Sequence, residues 1–173
     1  MSYSPNIQAV RWFLDYCFDE VCRKVDDSIT FVIAGIDPSK EILSYQSDNV
    51  IVTGYVDSLS ELIALSTLSI APMQSGSGMQ FKILEAMSCE VPVVTTTIGL
   101  GDIKAEPNKE IIVKDSPKEF INAVSDIIKH PDKYNKLSKY ARTFVVNNHS
   151  WYEHALTVDK IYNEVVGVMD VKK

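Results

Sequence analysis

Residues 68–97 constrain the fold of this chain more than any other stretch. Residues 68–73 (LSIAPM) predict a short buried strand, residues 74–78 (QSGSG) a glycine-containing loop, and residues 81–88 (FKILEAMS) a helix. A second strand, rich in β-branched residues, is predicted from Pro92. A strand followed by glycines and a helix start offers an anion unpaired backbone N–H groups and the positive end of a helix dipole.

Glu85 is the unusual residue of this unit, because the helix around it is apolar on most sides and is predicted to be buried. A buried carboxylate needs partners, and two interpretations remain open. Glu85 could pair with Lys82, three positions earlier on the same face. Alternatively, Glu85 faces a cleft and accepts hydrogen bonds from ligand hydroxyls, each contributing about 1.5–3 kcal/mol, with Lys82 near phosphate. The apolar neighbours are Phe81, Ile83, Leu84, Ala86 and Met87.

Composition excludes several classes of protein. A length of 173 residues suffices for one domain with a substantial core, and the net charge of −6 argues against a nucleic-acid groove. No apolar run reaches the roughly 18–20 residues of a membrane span, and no signal peptide is evident. The three cysteines lack CxxC spacing and the three histidines lack zinc-site spacing. We expect reduced thiols in a cytosolic protein without a metal site.

Strand and helix patterns alternate through most of the chain. Three further strands are predicted at residues 29–36, 49–56 and 110–114. This alternation predicts a doubly wound parallel sheet with helices on both faces, right-handed crossovers, and a ligand site where the carboxyl ends of the strands meet. Six further helices are predicted. The first begins near Pro5 and ends near Asp26–Asp27, and the second begins at Pro38. The third runs from Glu61 to Ser66 after a Ser58 capping box, and the fourth runs from Pro117 to about Lys129 after a Ser116 cap. The last two begin at Pro131 and Ser150.

The first predicted element is a helix, whereas a doubly wound domain normally opens with a central strand. Residues 1–4 are too few to supply that strand. We therefore expect a Rossmann-like parallel sheet whose opening strand is missing, in a chain that is a fragment of a longer protein.

The glycines at 76 and 78 fit no standard nucleotide or hydrolase motif. A dinucleotide fingerprint needs a third glycine where Phe81 stands, and a P-loop needs Gly-Lys-Ser/Thr at the helix start. A nucleophile elbow needs Gly-x-Ser-x-Gly, which is absent. From spacing alone, it stays open whether these glycines bind a ligand or only form a tight turn.

Residues 76–94 (GSGMQFKILEAMSCEVPVV) resemble the donor-binding signature of group 1 glycosyltransferases with the GT-B fold. The upstream runs at 31–35, 50–56 and 68–72 follow the strand order of that family, and the helix beginning at 150–151 fits its closing segment. The resemblance implies that residues 1–173 are a single C-terminal, nucleotide-sugar-binding domain, one half of a GT-B enzyme, with a helical C-terminal segment from about 131 to 173.

The resemblance also implies roles for individual residues. Glu85 matches the second glutamate of the family's Glu-x7-Glu pair, which holds the donor ribose hydroxyls. No metal or cofactor is implied, because basic side chains and a helix N-terminus neutralise the leaving diphosphate. The backbone of Gly54, Tyr55 and Val56 matches the loop beside the nucleotide base, and the amides of Gly78, Met79 and Gln80 match the loop facing the diphosphate and sugar.

The sequence departs from the family pattern in three respects. Ser77 stands where the first glutamate of the pair is expected, and a hydroxyl is a weaker acceptor than a carboxylate. The family's arginine and lysine after the opening strand are not visible, since Pro5 or Asn6 occupies the lysine region. Lys82 is then the candidate to supply charge to the phosphates. The acceptor-binding half is absent, so we expect this chain alone to be inactive.

The implied function is transfer of a sugar from a nucleotide diphosphate sugar to an acceptor, in polysaccharide or glycoconjugate synthesis. The implied enzyme is a hexosyltransferase that retains anomeric configuration, and no residue can be named as its catalytic nucleophile. It would be cytoplasmic and peripheral to the inner face of a membrane through the missing N-terminal domain.

Two alternatives remain, and one further expectation concerns partners. The chain could be a non-catalytic nucleotide- or sugar-binding module, which Ser77 favours, or an unrelated regulatory α/β domain. Besides the nucleotide sugar and the missing N-terminal acceptor-binding domain, we expect self-association through an apolar patch near Trp151 and the final helix, or a sheet completed by another chain.

Overall fold

The fold opens with a long helical segment, as the sequence predicts. Helix α1 (Ser4–Phe13), a π-helical turn (Leu14–Phe18) and helix α2 (Asp19–Val25) follow one another directly. The computed structural model describes residues 1–25 and 29–170, so the predicted helix end at Asp26–Asp27 lies outside the described residues. Pro5 lies in the first turn of α1, where its missing N–H leaves no intrahelical bond unmade.

The five strands in the described part of the chain are shorter than the sequence predicts, and each neighbouring pair is parallel. Two of them form one sheet and three form another, in the order β1-β2 and β3-β4-β5. Helices cover both faces, because neighbouring residues on β4 enter different cores: Val94 packs with the cluster under the first helical segment, and Val93 with the opposite cluster. The parallel α/β architecture is thereby confirmed. The strands are β1 (Phe31–Ala34), β2 (Val50–Gly54), β3 (Ser69–Ala71), β4 (Val93–Thr95) and β5 (Ile112–Val113).

Local capping signals predict several helix starts correctly. The Ser58 hydroxyl accepts from the Glu61 N–H at 3.2 Å, although its helix begins two residues earlier than predicted. The Ser116 hydroxyl likewise caps its helix through the Glu119 N–H. The remaining helices are α3 (Lys40–Ser44), α4 (Leu59–Ala64), α5 (Phe81–Ser88), α6 (Thr97–Leu100), α7 (Pro117–Lys129), a 3-10 turn (Pro131–Tyr134), α8 (Asn135–Asn148) and α9 (Trp151–Asp170).

Gly99 lies inside helix α6, the short helix that follows β4. A Cβ atom at Gly99 would lie 2.1 Å from Thr95 Oγ1 and 2.8 Å from the Ala71 carbonyl oxygen. Gly99 is therefore required because α6 packs directly on the strand ends.

Helix α9 presents an apolar stripe to solvent. Val158, Ile161, Tyr162 and Val165 are exposed and spaced along one helical face. The side chain of Trp151 and residues 171–173 lie outside the described part, so the expected contribution of Trp151 to this patch stays a prediction. No described helix is long and apolar enough to span a membrane.

We expect Gly99→Ala to lower the free energy of unfolding by about 1–3 kcal/mol, because the added methyl overlaps buried strand atoms. Urea denaturation measures this change. Ile98→Ala is the matched control, since Ile98 is exposed on the same short helix. Equal losses in the two variants would contradict the packing role of Gly99.

We expect the stripe on α9 to drive self-association, and Ile161→Glu to weaken it by placing a charge on the stripe. Sedimentation equilibrium over a range of protein concentrations measures the association. Asn163→Glu adds the same charge to a different face of α9 and should leave association unchanged. A wild-type chain that stays monomeric at high concentration would refute this expectation.

Candidate functional site

The loop after β3 has the backbone geometry of a ligand-binding loop. Gly76 and Gly78 have φ values of +121° and +79°, which side chains other than glycine adopt only with strain. Apart from its two chain neighbours, no described residue has an atom within 4 Å of where a Cβ at Gly78 would be. Ser77, Gly78 and Met79 are exposed, so a ligand can reach both the loop backbone and the Ser77 hydroxyl.

Helix α5 begins directly after this loop, and no side chain in the described part of the chain caps its N-terminus. The preceding residue, Gln80, is only 9% exposed, but its amide does not accept from the first turn of α5. Its Oε1 atom instead accepts a 2.9 Å hydrogen bond from Lys82 Nζ. The positive end of the α5 dipole is therefore left to a ligand placed above the loop.

Lys82 is a half-buried cation held by neutral acceptors. Its ammonium group donates to Asn6 Oδ1 at 2.9 Å and to Gln80 Oε1 at 2.9 Å, and approaches Met73 Sδ at 3.7 Å. Burial lowers the pKa of Lys82 below its ordinary value, and the negative charge of Glu85 partly opposes this shift. A cation in this position gains most from an anionic ligand.

Glu85 lies in a different environment from the predicted one. The inner face of α5 is buried through residues such as Ile83 and Leu84, but Glu85 is exposed and Phe81 is 68% exposed. The predicted burial of α5 is thus confirmed for Ile83, Leu84, Ala86 and Met87. It is wrong for Phe81 and Glu85, which lie four residues apart on one exposed face of the helix. Glu85 and Lys82 also form no ion pair in the described structure, which leaves the carboxylate accessible to a ligand.

The start of the chain completes the site, and sequence reasoning missed most of this. The Ser75 hydroxyl donates to Gln8 Oε1 at 2.7 Å, and a Cβ at Gly76 would lie 3.6 Å from Pro5 Cβ. Together with the bond from Lys82 to Asn6, these contacts tie α1 to the loop. The one available signal was that Pro5 or Asn6 occupies the region where a basic residue was expected.

Gly54, Tyr55 and Val56 lie at the end of β2, on the carboxyl side of the other sheet. Gly54 has φ of +67° and pairs with Ala34 of β1, and Tyr55 is 72% exposed. No hydrogen bond in the described structure joins these residues to the Gly76 loop. The structure thus places Ser77, Gly78, Met79, Gln80, Lys82 and Glu85 on one loop and the helix that follows it, whereas the β2 loop belongs to the other sheet.

An open cleft of about 590 Å³ lies elsewhere, between β5, α7 and the start of α8. Its lining includes Lys114, Asp126 and Tyr134, and none of the predicted site residues. Asp126 is already engaged, because it accepts from Lys133 at 2.6 Å and also from the Tyr134 hydroxyl. We therefore place the candidate site at the Gly76 loop, where a cation, a helix N-terminus and glycine backbone meet.

The described residues contain no cluster of three or more His, Cys, Asp or Glu side chains able to hold a metal ion.

Comparison with known proteins places this geometry in context. A sequence profile described as "Glycosyl transferases group 1" matches residues 1–130. The curated Xenopus tropicalis protein "Glycosyltransferase 1 domain-containing protein 1" is 30% identical over 94 residues, which are 53% of this chain and 27% of that protein.

Two solved structures resemble the fold at low sequence identity. An S. aureus TarM variant in complex with fondaparinux, alpha-GlcNAc-glycerol and UDP matches with a TM-score of 0.74 and 20% identity, covering 94% of this chain and 34% of that one. Sucrose-phosphate synthase from Thermosynechococcus elongatus matches with a TM-score of 0.72 and 18% identity, covering 95% and 43%. This chain therefore covers from about a quarter to somewhat less than half of the length of these three proteins.

We expect protonated Lys82 to strengthen the binding of a diphosphate anion about tenfold or more, as one charge-assisted hydrogen bond would. The ratio of pyrophosphate affinities between the wild type and Lys82→Gln should fall as pH rises through the lowered pKa of Lys82, because the wild type then loses its charge. Calorimetry from about pH 7 to about pH 10 measures that ratio, in which the titration of pyrophosphate itself cancels.

Two matched variants check this interpretation. Lys82→Arg should keep its charge and hold affinity to higher pH. Lys118→Gln removes a lysine charge from α7 and should leave the wild-type pH profile intact. A ratio that does not change with pH would show that Lys82 does not meet the anion.

Proposed function

The chain belongs to the group 1 glycosyltransferases, and from that premise we propose that it forms the donor-binding half of an enzyme that transfers a sugar from a nucleotide diphosphate sugar. The observation that supports this most is the half-buried Lys82 ammonium beside the Gly76 loop and the uncapped start of α5. A cation held by neutral acceptors at a helix N-terminus is suited to a diphosphate.

In this proposal the donor spans the exposed face of α5. The diphosphate lies over the amides of Gly78, Met79 and Gln80 and beside Lys82. Glu85 lies four residues beyond the helix start, about 6 Å along the axis, and its free carboxylate accepts from the ribose hydroxyls. The Ser77 hydroxyl bonds the sugar, in the position where the family signature has a carboxylate.

The nucleotide base lies toward the β2 loop. The backbone of Gly54, Tyr55 and Val56 flanks the base, and positive φ at Gly54 lets the backbone turn toward it without a side-chain clash. The exposed Tyr55 ring supplies apolar surface at the same place. Because another sheet carries this loop, the donor bridges the ends of both sheets.

In this proposal, catalysis depends on positive charge that is already in position before the reaction begins. As the bond between the sugar's anomeric carbon and the diphosphate oxygen breaks, negative charge grows on the diphosphate, where Lys82 and the start of α5 stabilise it. An acceptor hydroxyl forms its bond to the anomeric carbon on the face from which the diphosphate departs, so that configuration is retained, and the hydroxyl proton passes to the departing diphosphate oxygen. No metal or cofactor takes part, and the acceptor is bound by an N-terminal half whose residues are not among those described here.

A non-catalytic nucleotide- or sugar-binding role is the second candidate, and one residue favours it. Ser77 replaces the first carboxylate of the signature and is a neutral, weaker acceptor. In this role the chain would bind the nucleotide but would not transfer a sugar. Assaying sugar transfer with the chain joined to an acceptor-binding half separates the two functions, because product forms only in the first.

We expect one nucleoside diphosphate among UDP, GDP and ADP to bind in calorimetry, and Glu85→Ala to weaken it about tenfold or more through the loss of charge-assisted hydrogen bonds. Glu164→Ala is the matched control, because it removes an exposed carboxylate from α9. If none of the three nucleotides binds the folded wild-type chain, both candidate functions fail.

We also expect nucleotide affinity to be unchanged by excess EDTA, because protein cations rather than a divalent ion neutralise the diphosphate. Titrations with EDTA and with added Mg²⁺ measure this directly. A fall in affinity on chelation that added Mg²⁺ restores would contradict the metal-free mechanism.

A further inference from the structure

The cleft between β5, α7 and the start of α8 has the dimensions of a second ligand pocket. Its volume of about 590 Å³ lies in the range of such pockets, roughly 300–1,000 Å³. Ile112 and Leu137 give it apolar surface, because both line the cleft and both belong to the buried core. As described, the cleft shares no lining residue with the Gly76 loop or the β2 loop, so it is separate from the donor site.

Three planar polar side chains line this cleft from a single face of α7. Glu119, Asn122 and Asp126 occupy positions i, i+3 and i+7 of the helix, so they follow one another along that face. The rise of an α-helix separates the first from the last by about 10 Å along the axis. The cleft therefore presents a row of hydrogen-bonding groups that is longer than one sugar ring.

The first two members of the row are each fixed through one polar atom. Glu119 Oε2 accepts a hydrogen bond of 2.6 Å from the Ser116 hydroxyl. Asn122 Oδ1 accepts one of 2.9 Å from Lys24 Nζ, which leaves the amide nitrogen of Asn122 on the other side of the group. Among the described residues, no partner binds Glu119 Oε1 or the Asn122 NH2 group. Both side chains are thus held in position with one polar atom available.

The third member follows the same pattern, and a cation lies across from it. Asp126 Oδ2 accepts from Lys133 Nζ at 2.6 Å and from the Tyr134 hydroxyl, whereas Asp126 Oδ1 has no partner in the described part of the chain. Lys114, the residue after β5, also lines the cleft, and its ammonium group has no described partner. The cleft therefore offers acceptor, donor and acceptor along α7, and a further donor from the β5 side.

This arrangement of groups selects the class of ligand. Two carboxylates facing the cleft disfavour an anion such as a phosphate, and the Lys114 ammonium disfavours a cation. A hydroxyl both donates and accepts, so neighbouring hydroxyls of a sugar match a row that alternates between acceptor and donor. The apolar surface of Ile112 and Leu137 suits the C–H face of a sugar ring.

We propose that the cleft between β5 and α7 is a binding site for a neutral saccharide, with Glu119, Asn122, Asp126 and Lys114 bonding the hydroxyls of two linked sugar rings. The site holds a glycan away from the Gly76 loop and takes no part in bond breaking. It goes beyond donor binding and does not depend on it, because the two sites share no residue.

The first test titrates the isotope-labelled chain with the neutral disaccharides maltose, cellobiose, lactose and N,N′-diacetylchitobiose and follows the amide chemical shifts. At least one disaccharide should shift the amides of residues 112–114 and 119–126 in a saturable manner and leave those of residues 76–85 unchanged. Pyrophosphate should leave the cleft amides unshifted. If all four disaccharides leave these amides unshifted, or if pyrophosphate shifts them, the proposal is overturned. Nucleotide binding is read separately, at residues 76–85.

Two substitutions in the lining test the roles of individual groups. Asn122→Leu removes the amide donor and Lys114→Met removes the ammonium group, while each keeps a side chain of similar size. Each should weaken the disaccharide roughly threefold to tenfold, as the loss of one hydrogen bond does. Lys118→Met is the matched control, because Lys118 lies in the first turn of α7 and does not line the cleft. Unchanged affinity in both folded lining variants, or an equal loss in the control, would contradict the assignment.

Discussion

Two buried threonine hydroxyls hold the base of the candidate site, and the geometry above them depends on these bonds. Thr95 Oγ1 donates to the Ala71 carbonyl at 2.7 Å, and Thr96 Oγ1 donates to the Met73 carbonyl at 2.6 Å. Both bonds are buried, where an unmade hydrogen bond is costly. They fix the end of β3 against the end of β4 and so determine where the Gly76 loop begins. The contact that excludes a side chain at Gly99 is part of the same arrangement.

Above this base, the site keeps a positive charge without a carboxylate to neutralise it. Lys82 is oriented by two amide oxygens and a thioether, all of which leave its charge in place. A salt bridge between Lys82 and Glu85 would occupy both groups before a ligand arrived. The partial burial of Lys82 costs some solvation energy, but it leaves the cation unpaired, and the exposed Glu85 carboxylate stays available as an acceptor. This arrangement suits a ligand that carries both phosphates and hydroxyls.

The sequence predicts those features of the fold that are encoded locally. Helices α5 and α7 begin and end where predicted, because their limits depend on nearby prolines, caps and apolar spacing. Strand lengths are overestimated, since a β-branched run does not show whether a neighbour is present to pair with it. The exposure of Phe81 and Glu85 could not be foreseen for a similar reason, as apolar character alone does not say which face of α5 meets the core. The contact between Asn6 and Lys82 joins residues 76 positions apart, beyond any local signal.

The two sheets and the candidate site meet in residues 1–8. Met1 donates to the Ile36 carbonyl just beyond β1, Asn6 accepts from Lys82, and Gln8 accepts from Ser75. The first turn of α1 therefore connects the end of β1 to the Gly76 loop. Because Asn6 lies in that turn and is one of the acceptors that orient the Lys82 ammonium, a shift of α1 would also move the cation. The packing of α1 thus determines how well Lys82 is placed for an anion, although no residue of α1 needs to touch the ligand.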